Sequence, residues 1–412
     1  MTGRRHDVAI VGGGLIGASL ACALKPTGLD VAMIEAVPFR SDSQPSYDER
    51  LFTLAPASKR ILDGIGVWRA IESHGVTPIE HIHISDRGHW GKTRLAATEF
   101  GVPALGYTAP ARVIGLSLIQ RIADTGAATL YCPARVVGIE TDEQGVSVSV
   151  DAQGSAIELG ARLLVLADGG TPETRDMLGI GIEAKDYGQT AVLCTVTPES
   201  PLANTAFERF TSTGPLAVLP TTGSRCAVVW TVRTEEVEQI LGYSDREFME
   251  RLQSRFGDWL GRLTAPGRRR SYPLKLVQVR DPVRRRALVV GNAAHTIHPV
   301  AGQGFNLGLR DVAVLAEVLA THCVTDPDAG RPEALNAYRE WRRRDTRQTT
   351  RFTDGLIRVF ANDLAPMVFG RNIALAVLNH CRPAKRYLVR RTMGLSGRLP
   401  RLVRGLPPTR QE

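Results

Sequence analysis

The chain has 412 residues, 43% hydrophobic and 23% charged, which supports two or three domains with a full core and excludes wholesale disorder. No run of about 18 uncharged apolar residues occurs, so no transmembrane helix is predicted. The formal charge is +9, but nine basic residues (Arg382, Lys385, Arg386, Arg390, Arg391, Arg398, Arg401, Arg404 and Arg410) against Glu412 place +8 of it after position 381. The body is thus near neutral, which argues against a nucleic-acid surface and leaves the tail for any anionic partner.

Residues 7–11 (DVAIV) form a short apolar run that ends at a glycine, as a buried parallel strand does. GGGLIG and an Ala- and Leu-rich helix follow, closed by Pro26 and Gly28, and residues 29–34 give a second strand ending at Glu35. In this β-α-β unit Gly12 permits the tight turn, Gly14 lets a pyrophosphate approach the backbone, and Gly17 lets helix and strand pack closely. The helix N-terminus offers unpaired N–H groups to the phosphates, and Glu35 stands where a carboxylate binds ribose hydroxyls. The loop alone does not separate FAD from NAD. Its N-terminal position, with no second such loop, favours a resident FAD.

Helical periodicity returns at 56–71, and 79–85 alternates as a strand. Residues 113–125 read as a helix, and 136–141, 145–150 and 157–159 as a β-meander. The run 163–167 (LLVLA) is another buried strand, delivering Asp168 and Gly169. Strand-like residues 190–232 suggest an antiparallel sheet, followed by an amphipathic helix at 245–260. Residues 287–290 form one more buried strand before the loop GNAAHTIHPVAGQGFNLG. Helices are expected at 304–321 and 334–360, with REWRRRDTR within the latter read as a solvated charged face. His81 and His83 share one strand face, but no carboxylate or cysteine completes a metal set, so none is expected. Cys22, Cys132, Cys194, Cys226, Cys323 and Cys381 form no C-x-x-C pair and read as isolated reduced thiols. The N-terminus has no apolar h-region, so no signal peptide is expected.

The glycine loop, LLVLADGGTPETR and GNAAHTIHPVAGQGFNLG follow one another in the order of the single-component FAD-dependent aromatic hydroxylases, the p-hydroxybenzoate hydroxylase-like family, which the chain resembles over nearly its whole length. YDERLFTLAPASKRIL and HIHISDRGHWG resemble the ubiquinone-biosynthesis branch, and within it the 2-polyprenyl-6-methoxyphenol hydroxylase type. The resemblance implies a mixed α/β (α+β) fold: a Rossmann-like FAD-binding domain with an inserted antiparallel β-sheet substrate domain and C-terminal helices. The boundaries expected are 1–75, 105–180 and 275–330 for the discontinuous FAD-binding domain, 76–104 and 181–274 for the substrate domain, and 331–412 for the helical region with its basic tail.

By the same resemblance Gly12, Gly14, Gly17 and Glu35 bind the ADP half of FAD. Arg50 lies near the isoalloxazine edge, Arg112 near the pyrophosphate and Val136 at the adenine strand. Asp168 and Gly169 serve both FAD and the nicotinamide co-substrate. Asn292 replaces the family's usual ribityl-binding Asp, as is common in this branch, and Pro299, Gly302, Gln303, Gly304 and Asn306 line the flavin's pyrimidine edge. Pro172 stands where the Asp-Gly motif usually has Ser, which removes a hydroxyl and an N–H. Pro299, His298 and Arg50 are the candidate catalytic residues. His298 and His295 are the candidate phenol bases, against the alternative that both bond loop backbone.

The implied activity is ring hydroxylation of a polyprenylated phenol in ubiquinone biosynthesis, with NADH or NADPH, dioxygen and a flavin C(4a)-hydroperoxide. The alternatives are the same chemistry on a soluble aromatic and a flavin-holding assembly protein with little turnover. Apolar residues interleaved with arginine after position 364 suggest peripheral contact with the inner face of a membrane by a cytoplasmic protein. Other ubiquinone-biosynthesis proteins are implied as partners.

Overall fold

The computed structural model describes residues 5–39, 48, 50–323, 328–360, 362 and 364–409. The N-terminal strand Arg5–Val11 pairs in parallel with Val31–Ile34 on one side and Ser155–Leu166 on the other. Thr129–Tyr131 and Ala287–Val289 extend this sheet, also in parallel. Alternate side chains of a strand face opposite ways. Val8 and Ile10 therefore enter a core shared with helices Leu15–Leu24, Ala111–Thr125 and Gln303–His322. Ala9 and Val11 enter another, shared with the meander strands Arg135–Thr141 and Val146–Ala152.

A second sheet runs in the order His295–Thr296, Arg270–Val279, Ile182–Pro198, Cys226–Arg233, Gly214–Pro220, Thr205–Thr211, His81–Asp86 and Lys92–Ala96. It is antiparallel except where Thr205–Thr211 lies parallel to His81–Asp86. Val192, Cys194, Leu216, Val218, Val228 and Trp230 pack one face onto helix Asp245–Phe256. The alternate residues Ala191, Leu193, Ala217, Leu219 and Val229 face a cavity instead.

Several elements differ from expectation. The expected strands at 157–159 and 163–167 are one strand, Ser155–Leu166, whose first half closes the meander and whose second half joins the parallel sheet. The helix expected at 56–71 divides into Pro56–Gly64 and Trp68–Ser73, with Gly66 at φ +79° between them. The helix expected to reach 260 stops at Phe256, because Gly257 turns at φ +87°.

The charged run is not a solvated face throughout. Arg342 is buried in helix Pro332–Phe360 and donates to Asp311 at 2.6 Å and to Asp345 at 2.9 Å. Nor is the basic tail loose among the described residues. Helices Ala365–His380 and Arg382–Thr392 lie against the edge strand Lys92–Ala96 and the turn beyond it, where Asn372 accepts from the Gly91 N–H at 2.7 Å and Lys385 pairs with Glu99 at 2.9 Å. Arg310 donates to the carbonyls of Gly394, Ser396 and Arg398 at 2.6–3.0 Å, and Arg398 stacks 3.6 Å from the Trp341 ring centroid. Covering a sheet edge in this way prevents it from pairing with another chain. Among the described residues no helix is long and apolar enough to cross a membrane.

Candidate active site

Gly12 carries φ +98°, and a Cβ there would lie 2.6 Å from the Asp168 Cα. A Cβ on Gly17 would overlap the Gly12 carbonyl oxygen. Both positions therefore demand glycine: one for its backbone angle, the other for the contact between helix and turn. Glu35, at the end of the second strand, accepts from the Gly13 N–H at 2.6 Å and the Val37 N–H at 2.8 Å. Each carboxylate oxygen keeps a further lone pair for a ligand hydroxyl.

The loop after strand Ser155–Leu166 is braced internally. Asp168 accepts from the Gly170 N–H at 3.2 Å and from the Thr174 hydroxyl. On the third loop, Ala301 (φ +56°) and Gly302 (φ +60°) turn the chain into helix Gln303–His322. The Asn306 side chain accepts from the Ala55 N–H and the Ser58 hydroxyl and donates to the carbonyls of Thr53 and Gly302, all at 2.6–2.9 Å. It thereby locks that turn to the strand Leu51–Leu54. Below it, Asp311 holds the His295 ring at 2.7 Å and the Gly291 N–H at 2.9 Å. Burial pushes the Asp311 carboxyl up, but His295 and Arg342 outweigh it and bring it down to about 2.

These three loops open on one cavity of about 1440 Å³. That exceeds the ~300–1,000 Å³ of a pocket for one drug-sized molecule. Gly12, Gly14, Glu35, Val136, Asp168, Gly169 and Asn292 line one end, and Arg50, Pro299, Gly302, Gln303, Gly304 and Asn306 the middle. Two helix N-termini, capped at Gly14 and Gly302, meet the cavity with no side-chain cap and no acid in the first turn. Their unpaired N–H groups and positive dipole ends suit an anionic ligand. A dinucleotide carrying a pyrophosphate fits this donor set. The Arg50 guanidinium pairs with Asp48 at 2.7 Å and sits 5.3 Å from the Tyr272 ring centroid.

Gly17, Arg112 and His298 are not on the cavity wall. Arg112 stands at the start of helix Ala111–Thr125, its N–H bonded to the Asp48 carbonyl at 3.0 Å. His298 is buried edge-on to Tyr187, and its Nδ1 accepts from the Val300 N–H at 3.2 Å. Burial holds it down to about 4, so the ring is neutral with its proton on Nε2. His83 packs against Trp259 and Phe207.

The far end of the cavity is apolar. Ile82, Ile84, Leu95 and Leu219 come from the second sheet, Val359 and Phe360 from helix Pro332–Phe360, and Leu375 and Leu378 from helix Ala365–His380. Arg371 also borders it, but its guanidinium is engaged by Asp86 at 2.8 Å and by the Val359 carbonyl at 3.3 Å. One carboxylate stands among these apolar groups, Glu208. Sequence reasoning missed it. The only available signal was its alternation with Ala206 and Phe210, which does not reveal which face of the strand is covered.

Residues 5–353 match the FAD binding domain family. The chain is 39% identical over 404 residues to ubiquinone hydroxylase UbiL of Rhodospirillum rubrum, covering 97% of this chain and 93% of that protein. It is 30% identical to the 3-demethoxyubiquinol 3-hydroxylase of Escherichia coli, covering 96% of this chain and 100% of that one. The crystal structure of p-nitrophenol 4-monooxygenase PnpA from Pseudomonas putida shares the fold, with a TM-score of 0.76 at 16% identity, over 96% of this chain and 99% of that one. The chain belongs to the FAD binding domain family.

Proposed function

We propose, with membership of the FAD binding domain family as the premise, that this protein is an FAD-dependent monooxygenase that hydroxylates the ring of a polyprenylated phenol in ubiquinone biosynthesis. The observation that carries this reading is the cavity joining a dinucleotide cradle to a largely apolar chamber, whose bordering Arg371 is held by Asp86 rather than left as a clamp. A soluble aromatic acid would need such a clamp; a prenylated phenol needs apolar walls.

Gly12, Gly14, Glu35, Val136, Asp168 and Gly169 would hold the adenosine diphosphate half of FAD. Asn292 would face the ribityl chain, and Pro299 and Gly302 to Asn306 the ring. Bound FAD supplies the redox chemistry, taking electrons from NADH or NADPH and activating dioxygen. The protein contributes placement and dryness. The N-terminus of helix Gln303–His322 favours negative charge beside it. Phe210, stacked on Phe360 with centroids 3.6 Å apart, helps to keep water from the chamber.

The C-terminal helices also bear on where the substrate comes from. Ala374, Leu375 and Leu378 of helix Ala365–His380 face the cavity, as does Leu388 of the next helix, whereas Phe369, Ile373 and Val377 form an exposed stripe on the other side of helix Ala365–His380. The exposed Arg382, Arg386 and Arg390 follow closely. Apolar side chains flanked by cations suit an anionic lipid surface, from which a prenyl chain would enter between the helices.

The test is anaerobic addition of NADH or NADPH to the FAD-loaded protein, with and without a 2-alkyl-6-methoxyphenol. Bleaching of the visible flavin band, faster with the phenol, is expected. A band that neither donor bleaches, even with phenol, overturns the reading.

A further inference from the structure

Glu208 is the unexplained group in the chamber. It lies on strand Thr205–Thr211, between Ile84 on one neighbouring strand and Ala217 on the other. Ala206 and Phe210 share its face, and all five residues border the cavity. A carboxylate in such surroundings is costly unless something there uses it. Burial alone pushes its carboxyl up to about 7.

Of the neighbouring charges, the nearest carboxylate is committed elsewhere. Asp86, at the end of strand His81–Asp86, is bound by Arg371 and Asn372 at 2.8 and 2.9 Å. His83 faces the opposite side, onto Phe207 and Trp259. The Arg209 side chain is not on the cavity wall, and strand Gly214–Pro220 carries no titratable side chain. Tyr272 and the exposed Arg351 border the same cavity from the sheet and from helix Pro332–Phe360. Among the described residues no hydrogen bond or ion pair engages the Glu208 carboxylate.

We propose that the Glu208 carboxylate accepts the hydrogen bond, and then the proton, of the substrate's phenolic hydroxyl. This rests on the reading of the protein as a phenol hydroxylase. Ring attack needs an electron-rich ring, and removing the phenolic proton pushes electrons onto the carbons ortho and para to that oxygen. As the new C–O bond forms at one of them and the O–O bond of the reduced dioxygen breaks, the phenolic proton passes to Glu208 and the phenolic oxygen becomes a carbonyl. When the proton on the attacked carbon leaves to water, Glu208 returns its own proton to that oxygen and the ring is aromatic again. One atom of dioxygen enters the ring and the other leaves as water. NADH or NADPH supplies the two electrons, so Glu208 ends as it began. A group titrating near neutrality is well matched to this task. As a carboxylate it is ready to accept the phenolic proton; once protonated it cannot take it.

The test compares Glu208→Gln and Glu208→Asp with the native holoenzyme on a series of 2-alkyl-6-methoxyphenols, some ring-fluorinated to acidify the hydroxyl. Glu208→Gln should lose ~100–1,000-fold in kcat. It should also lose the acid limb of the kcat/KM profile, which in the native protein is expected to follow the raised Glu208 carboxyl. The deficit should shrink as the phenol becomes more acidic, and Glu208→Asp should keep the limb. A Glu208→Gln variant that retains the limb, or loses the same factor on every phenol, overturns the proposal. Infrared difference spectra of phenol binding to the oxidised holoenzyme supply a readout without turnover. A carboxyl band perturbed by phenol in the native protein and absent in Glu208→Gln is expected. If the native protein turns over no phenol yet shows this band, hydroxylation fails and the Glu208 contact stands. If the band is missing, the contact fails.

Discussion

Arg371, in the C-terminal helix Ala365–His380, donates to Asp86 at the end of strand His81–Asp86 across 2.8 Å, with both side chains almost wholly buried. This pair joins residues 285 positions apart and fixes one wall of the chamber to its floor.

Replacing Arg371 with Met leaves the Asp86 charge buried with Asn372 alone to meet it. The expected loss of stability is about 3–5 kcal/mol, and Asp86→Asn in the same chain should recover part of it. Urea denaturation of the two variants measures both. A loss below about 1 kcal/mol, the range of an exposed pair, would remove the pair from the fold's framework.

Gly12→Ala should strip the cofactor while leaving a folded chain. The new Cβ meets the Asp168 backbone at 2.6 Å, and the φ of +98° is unfavourable for alanine. Strain of about 1–3 kcal/mol translates into ~10–100-fold weaker FAD binding. Gly28→Ala is the control, since it shares a positive φ, +76°, but has open space around it. The flavin-to-protein absorbance ratio after dialysis decides, and equal retention by both variants would sink the assignment.

Acid should destabilise the protein well above the carboxylate range. Burial holds His298 down to about 4, below its ordinary 6.5, so the native state resists a proton that the unfolded chain accepts. His83 behaves alike, through burial and then through Arg94, Lys92 and Arg209. Their stabilising effect is complete above about pH 6.5 and fades as pH falls towards 4, by up to about 3 kcal/mol for His298. Urea midpoints at pH 7.5 and 4.5, in the native chain and in His298→Asn, test this. A pH dependence unchanged by the substitution contradicts it.

Phe369→Ser, Ile373→Ser and Val377→Ser together should abolish sedimentation with anionic vesicles, since each large apolar side chain contributes about 1.5–3 kcal/mol when buried. Gln at Arg382, Arg386 and Arg390 should weaken binding and reduce its salt dependence. A triple serine variant that sediments like the native protein excludes this stripe as the lipid contact.

Much of the cradle was legible in the sequence because its constraints are local. Gly12, Gly17 and Glu35 answer to one turn and the elements beside it, and the helix at 304–321 emerges within one residue at each end, as Gln303–His322. The chamber was less legible because its walls come from distant segments. Glu208 stands at a position that would be solvent-facing if no helices covered that side of the sheet. Arg342 was misread for the same reason: nothing within REWRRRDTR announces Asp311, 31 residues earlier. Of the residues expected to act, His298 is held by its own loop.

The strand Ser155–Leu166 has a consequence for how the molecule comes apart. Its Ser155–Ala161 stretch is laddered to the meander, and its Gly160–Leu166 stretch to the N-terminal strand. No loop separates the two ladders, so the meander cannot fray as a unit of its own. Amide hydrogen exchange along 155–166 should proceed at one rate set by global opening, without a faster step at the Val136 end. Protease nicking should follow the same rule: the Val136 end of the cradle and its Asp168 end survive together or are lost together.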